Sequence, residues 1–89
     1  MTSVRVMISG RVQGVGYRHW FQQTANSLRV SGWVRNLSDG RVEAEVSGEE
    51  DRVDALLDVA KDGPAFASVT AIERVGPAPV HEGPFKVAF

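Results

Sequence analysis

Three glycines and one arginine near the N-terminus form the part of this sequence that is best suited to chemistry. In the stretch GRVQGVGYR, residues 10–18, Gly10, Gly14 and Gly16 precede Arg18. Glycine lets the backbone turn so that several N–H groups point into one concave space, and such a space attracts anions. Arginine adds a planar set of donors that can bind two phosphate oxygens at once. The combination favours a binding site for a phosphate group.

Two nucleotide-binding motifs with clustered glycines do not match this stretch. A dinucleotide fingerprint that used Gly14 and Gly16 would need a third glycine at position 19, which is His19, and no Gly-Lys-Ser/Thr follows for a Walker A motif. A structural alternative remains, in which the glycines make a tight turn and Arg18 is a solvated residue at a helix start. We favour the anion site because the helix dipole opposes an arginine at this junction.

The hydrophobic pattern predicts a strand before the glycines and a helix after them. Val4, Val6 and Ile8 recur at every second position, as in a half-buried strand. From His19 the period lengthens to that of a helix, which should end before Ser31. Its apolar face is formed by Phe21, Ala25 and Leu28. The glycines therefore connect a strand to a helix N-terminus, whose free N–H groups also favour a phosphate.

A β-hairpin is predicted next in the chain. Asp39-Gly40 is a strong two-residue turn signal, in which both central residues would have positive φ, between strands at residues 33–37 and 41–46. The second strand should have one buried face and one wetter face. The buried face carries Val42, Ala44 and Val46, and the wetter face carries Glu43 and Glu45.

A second helix and two strands complete the predicted elements. Ser47 and Glu50 have capping-box spacing at the start of this helix, and Gly63-Pro64 ends it. Residues 68–75 read as a strand. A short terminal strand should point Phe85, Val87 and Phe89 inward.

The order β-α-β-β-α-β with a terminal strand matches a ferredoxin-like α/β sandwich, an α+β fold built on a split βαβ. Two helices should cover one face of a mostly antiparallel sheet, with right-handed crossovers. With 89 residues, the chain is expected to be one domain, residues 1–89, since a core of this size buries only about 60% of the unfolded chain's surface.

Composition limits the classes of function. The chain has no cysteine, a net charge of -1 and no apolar run long enough to cross a membrane. His19 and His81 lack partners at metal-ligand spacing, so no metal site is expected. We expect a cytoplasmic monomer with no nucleic-acid or membrane partner and no cofactor.

GRVQGVGYR followed by GWVRNLSDG resembles the paired signatures of the acylphosphatase family, and the resemblance covers essentially the whole chain. It implies metal-independent hydrolysis of acyl phosphates, such as acetyl phosphate, 1,3-bisphosphoglycerate or carbamoyl phosphate, to a carboxylate and inorganic phosphate. It also implies that Arg18 binds phosphate, that Asn36 positions the attacking water, and that phosphate or sulfate binds in the loop. The implied phosphate-binding residues are Gln13, Gly14, Val15, Gly16, Tyr17 and Arg18; the family commonly has phenylalanine in place of Tyr17.

The chemistry of acyl phosphates agrees with this set of residues. The leaving carboxylate has a pKa of roughly 4 and departs unprotonated, so no general acid is required. Two alternatives remain open. One is a ferredoxin-like binding module for an anion or single-stranded nucleic acid, although Glu43 and Glu45 do not suit a nucleic-acid surface. The other is an acylphosphatase-like domain of a larger carbamoyl-transfer protein.

Overall fold

A computed structural model describes residues 1–88 and contains the predicted order of elements. The strands are β1 (Thr2–Arg11), β2 (Ser31–Asn36), β3 (Val42–Gly48), β4 (Ser68–Pro77) and β5 (Lys86–Val87). The helices are α1 (Tyr17–Ser27) and α2 (Glu50–Ala60). Neither of these helices has the length and apolar character needed to span a membrane. The inward position predicted for Phe89 lies outside the described residues.

Within residues 1–88, five strands form one sheet in the order β4-β1-β3-β2-β5. Both β1 and β2 run antiparallel to the central strand β3, and only the short β5 pairs in parallel, with β2. Consequently β1 and β2 point in the same direction, and their C-terminal residues lie at the same end of the sheet. Near that end, Ile8 of β1, Val42 of β3 and Asn36 of β2 lie side by side in one row. The topology therefore brings the segment that follows β1 next to the end of β2.

The core lies between one face of this sheet and both helices. Alternate residues of the three central strands join the apolar faces of α1 and α2 in a single cluster. Fully buried members include Val6, Ile8, Phe21, Val34, Ala44 and Leu56. This arrangement confirms the ferredoxin-like α/β sandwich expected from the sequence.

Two predicted helix boundaries are wrong. Helix α1 begins at Tyr17 rather than His19, because the Tyr17 side chain is buried and belongs to the apolar face of the helix. Ser47 does not cap α2: it lies in β3, and its hydroxyl meets the Ser3 hydroxyl at 2.7 Å and accepts the His81 N–H at 3.0 Å. The N-cap residue of α2 is Glu49.

The hairpin between β2 and β3 is confirmed, but its turn is longer than the predicted two residues. Gly40 has φ of 96°, whereas Asp39 does not have a positive φ. The Gly40 N–H donates to the Leu37 carbonyl at 3.2 Å, and the Leu37 N–H donates to the Arg41 carbonyl at 2.8 Å. One glycine therefore provides the positive φ that was expected of two residues, as in longer hairpin loops.

The expected wetter face of the sheet is also covered at its centre. Glu43 points away from the helices but is only 2% exposed. Arg5 Nη1 lies 2.8 Å from Glu43 Oε2, and Arg35 Nε lies 2.7 Å from Glu43 Oε1. The Arg35 guanidinium also lies over the Trp33 ring, 5.2 Å from its centre. The carboxylate is therefore buried as the shared partner of two arginines on neighbouring strands.

Candidate active site

The loop between β1 and α1, residues 12–16, is held open by two glycines with left-handed backbone. Gly14 has φ of 74° and Gly16 has φ of 79°. A side chain at either position would meet no atom within 4 Å, so the glycines are needed for conformation rather than for space. Left-handed backbone is strained for other residues, which explains why this loop contains glycine twice. We call residues 12–16 the glycine loop.

The N-terminus of α1 points its donors into this region. The first helical hydrogen bond runs from the Trp20 N–H to the Gly16 carbonyl at 3.0 Å, so the N–H groups of residues 17–19 precede the intrahelical bonds. No side chain of residues 1–88 caps this end, and its first turn contains no acidic residue. Arg18 lies in the same turn and is half-buried. The amides of the first helical turn, the helix dipole and a guanidinium together favour a bound anion.

Gln13 ties the glycine loop to the hairpin. Its side-chain Nε2 donates to the Leu37 carbonyl at 2.8 Å and to the Arg41 carbonyl at 3.0 Å. Leu37 directly follows Asn36 in the chain. The sequence predicted neither of these side-chain bonds, because no local pattern indicates a contact with residues so far along the chain.

Asn36 ends β2 beside this loop and has an unusual side chain. Its Oδ1 atom is buried and accepts no hydrogen bond from residues 1–88. A buried acceptor without a partner costs about 1–3 kcal/mol, so most are satisfied by protein or water. The position therefore suits a group that contacts a ligand or a substrate water.

Tyr17 anchors the junction between the glycine loop and α1. Its hydroxyl donates to the Ala60 carbonyl, the last of α2, at 2.8 Å. Its ring lies 5.7 Å from Trp20 and 6.0 Å from Phe21, centre to centre. Burial raises the pKa of the Tyr17 phenol. Because this side chain points into the core, only the backbone of Tyr17 can face a bound phosphate.

The hairpin turn beside Asn36 is held by Asp39. The Arg41 N–H donates to Asp39 Oδ1 at 3.0 Å, and this bond holds the pKa of the Asp39 carboxyl below its usual range. Arg41 Nε also donates to Asp39 Oδ2 at 2.8 Å. The carboxylate is exposed and engaged with the turn itself, so it serves the shape of the hairpin.

The described residues offer no cluster that could hold a metal ion. Among residues 1–88, no three His, Cys, Asp or Glu side chains come together at suitable distances. His19 is exposed, and His81 Nε2 lies 2.7 Å from Glu45 Oε1 on the other face of the sheet. The two histidines are therefore not brought together.

A family model described as Acylphosphatase matches residues 4–86. The chain belongs to the acylphosphatase family. An acylphosphatase from Alcanivorax borkumensis is 53% identical over 72 residues, which cover 81% of this chain and 78% of that protein. One from Methanothrix thermoacetophila is 51% identical over 70 residues, which cover 79% and 78% of the two chains. This chain is therefore an enzyme that hydrolyses acyl phosphates.

Solved structures of the family have the same fold. The crystal structure of acylphosphatase from Bacillus subtilis matches with a TM-score of 0.93 and 34% identity over 100% of both chains. The structure of full-length HypF in its phosphate- and nucleotide-bound form matches with a TM-score of 0.82 and 28% identity. That match covers 98% of this chain and 12% of HypF, so an acylphosphatase-like domain also occurs within a longer protein.

Proposed function

We propose that this chain hydrolyses small acyl phosphates with Arg18 and Asn36 in separate roles. Arg18 and the backbone amides of residues 13–18 bind the phosphoryl oxygens. Asn36 holds the attacking water in line with the bond that breaks. Phosphate and sulfate, which present the same oxygens, bind in the same place as competitive inhibitors.

The buried Oδ1 of Asn36 is the observation that carries this proposal. It accepts no hydrogen bond from residues 1–88, and it lies at the end of β2 in the row that begins with Ile8 of β1. A water that donated one proton to Oδ1 would satisfy this atom and would be held beside the glycine loop. An amide suits this task because it neither gains nor loses a proton near neutral pH.

The reaction needs little from the protein beyond position and charge. The water oxygen forms a bond to phosphorus while the bond from phosphorus to the carboxyl oxygen breaks. The carboxylate leaves with the electron pair, and a water proton passes to a phosphate oxygen, which gives dihydrogen phosphate. Phosphoryl transfer has a loose transition state with charge spread over the equatorial oxygens, so fixed donors stabilise it. Arg18 and the loop amides supply such donors.

Metal independence and broad acyl specificity are further parts of the proposal. The carboxylate leaves unprotonated because its pKa is roughly 4, so neither a general acid nor a metal is needed to assist its departure. Acetyl phosphate, 1,3-bisphosphoglycerate and carbamoyl phosphate share the group that the proposed site grips. They differ only beyond the carboxyl group, and the roles proposed for Arg18 and Asn36 require no contact with that part of the substrate.

Release of inorganic phosphate tests the proposal. Benzoyl phosphate and an ordinary phosphate monoester are incubated in parallel with the enzyme, with and without excess chelator. We expect rapid release from benzoyl phosphate alone, unchanged by the chelator and inhibited competitively by inorganic phosphate. Loss of activity on chelation, restored by a divalent ion, would contradict the metal-independent mechanism. Inactivity on both substrates would favour an anion-binding module instead.

A further inference from the structure

We infer that Phe66 contacts the acyl group of the bound substrate and gives this enzyme a preference for aromatic acyl phosphates. The inference rests on the proposed roles of Arg18 and Asn36, and it names a selectivity that those roles leave open. Two features of the structure carry it, the position of the loop that holds Phe66 and the way in which this loop is anchored, together with the in-line geometry of the proposed reaction.

The loop between α2 and β4, residues 61–67, lies at the same end of the sheet as the glycine loop. Ser68, the first residue of β4, pairs with Arg11, the last residue of β1. One loop therefore enters the sheet beside the point where the other leaves it. In the strand order, β4 and β3 flank β1 on opposite sides. The glycine loop thus starts between the hairpin that follows Asn36 and the loop that carries Phe66.

The α2–β4 loop is anchored against the start of α1. Gly63 has φ of 67°, and a Cβ on it would lie 3.0 Å from Tyr17 Cε2, so its backbone packs closely on that ring. A turn follows, in which the Ala67 N–H donates to the Pro64 carbonyl at 3.0 Å. Ala67 packs against the core. Both ends of the turn are therefore fixed within reach of the helix turn that contains Arg18.

Phe66 lies within this fixed turn and projects into solvent. Its exposed fraction is 79%, while every other aromatic side chain of residues 1–88 is buried or half-buried. A Phe ring prefers contact with apolar or aromatic groups over water. An anchored turn presents the ring at a defined place, so a partner that met it there would gain contact area without ordering the loop.

In-line chemistry directs the acyl group towards this side. In phosphoryl transfer the attacking oxygen and the leaving oxygen lie on opposite sides of phosphorus. With the water held by Asn36 on the β2 side of the glycine loop, the carboxyl group departs on the opposite side. That side leads towards β1 and β4, where the α2–β4 loop presents Phe66. An aromatic acyl group such as benzoyl reaches the ring, whereas the methyl group of acetyl phosphate offers little contact.

The experiment compares benzoyl phosphate with acetyl phosphate as substrates of four proteins. These are the wild type, Phe66→Ala, Phe66→Tyr and the control Val80→Ala, which changes another exposed apolar residue beyond the far end of β4. We expect Phe66→Ala to lower the benzoyl-to-acetyl ratio of kcat/KM by roughly threefold to tenfold, the size of one aromatic contact. The change should appear mainly in the KM for benzoyl phosphate. Phe66→Tyr retains the ring and should keep the wild-type ratio, as should Val80→Ala.

Two results would overturn the inference. One is an unchanged substrate ratio in Phe66→Ala. The other is a loss of affinity for inorganic phosphate in Phe66→Ala that is as large as its loss of affinity for benzoyl phosphate. Inorganic phosphate has no acyl group, so that result would show that Phe66 affects binding of the phosphate rather than of the acyl group. Failure of the proposed function gives a different pattern: the wild type would release phosphate from neither substrate, or Asn36→Ala would turn over normally. Since Phe66 is exposed, thermal unfolding of all four proteins should coincide.

Discussion

The side-chain amide of Gln13 donates to the Leu37 carbonyl at 2.8 Å and thereby joins the glycine loop to the residue that follows Asn36. A second bond, from the same Nε2 to the Arg41 carbonyl at 3.0 Å, reaches the other strand of the hairpin. The loop proposed to bind phosphate and the amide proposed to hold water are therefore fixed relative to each other. Such preorganisation supplies much of the rate in a reaction that depends on position.

Replacing Gln13 by alanine should therefore impair catalysis more than it impairs folding. We expect kcat/KM to fall by roughly tenfold to hundredfold, since small displacements of reacting groups have effects of this size. Gln22→Ala is the matched control, because the Gln22 amide also donates to a carbonyl, that of Phe85, at 3.2 Å. Steady-state kinetics with benzoyl phosphate would decide. Equal losses in the two variants would show that Gln13 matters for stability alone.

The order of elements and the glycine loop could be predicted because each depends on local pattern. The alternation of Val4, Val6 and Ile8 fixes the face of β1, and closely spaced glycines indicate a loop whatever surrounds it. By contrast, Ser47 and Glu50 have the spacing of a helix cap, yet Ser47 belongs to β3, where its hydroxyl forms a hydrogen bond with the Ser3 hydroxyl. Tertiary pairing decided that boundary, and spacing within the chain could not reveal it.

For the candidate site, the sequence indicated which residues to propose but not the contacts that hold them. Arg18 and Asn36 were indicated by the loop and by the family resemblance. The bonds from Gln13 to the hairpin and the burial of Glu43 between Arg5 and Arg35 join residues that are distant in the chain. Such contacts depend on the register of the strands, which a hydrophobic pattern narrows but does not assign residue by residue.

Tyr17→Phe should reveal the pH dependence of the bond between Tyr17 and α2. The hydroxyl donates to the Ala60 carbonyl at 2.8 Å, and its loss should lower the free energy of unfolding by about 1 kcal/mol near neutral pH. Burial raises the pKa of this phenol above its ordinary value of 10.0. The unfolded chain therefore releases the phenolic proton first, so the wild type loses stability as the pH rises above that value.

Urea unfolding of both proteins at several alkaline pH values would measure this difference. The gap between wild type and Tyr17→Phe should be constant below about pH 9 and shrink above about pH 10. Tyr17 is the only tyrosine of the chain, so Tyr17→Phe removes the only phenol and leaves every other side chain unchanged. A gap that stays constant to high pH would contradict a buried, hydrogen-bonded phenol.

Glu43→Ala should destabilise the sheet on the face away from the helices. Glu43 is 2% exposed, and its carboxylate accepts hydrogen bonds from Arg5 and Arg35. Because both arginines are about half exposed and remain hydrated, we expect the free energy of unfolding to fall by about 1–3 kcal/mol, with the protein still folded. The free energy of unfolding in urea is the measurement. Asp58→Ala, which removes an exposed partner of Lys61, should change it by less than about 0.5 kcal/mol.

Asn36→Ala should leave the protein about as stable as the wild type. The substitution removes a buried acceptor that has no partner among residues 1–88, so it breaks no hydrogen bond between described residues and gives up only some packing. A residue kept for function rather than for stability would behave in this way. Thermal unfolding would show it. A clear drop in Tm would indicate instead that the Asn36 amide supports the end of β2.

Arg18 is proposed to bind phosphate and Asn36 to position water, and one paired measurement separates these roles. Turnover of benzoyl phosphate and competitive inhibition by inorganic phosphate are determined for Asn36→Ala and Arg18→Lys, with circular dichroism to confirm each fold. Asn36→Ala should lower kcat by roughly two or more orders of magnitude and leave phosphate inhibition nearly intact. Arg18→Lys keeps the charge but not the planar pair of donors, so both its turnover and its inhibition by phosphate should be much weaker. Normal turnover by Arg18→Lys, or an Asn36→Ala enzyme whose only defect is weaker phosphate binding, would contradict the account.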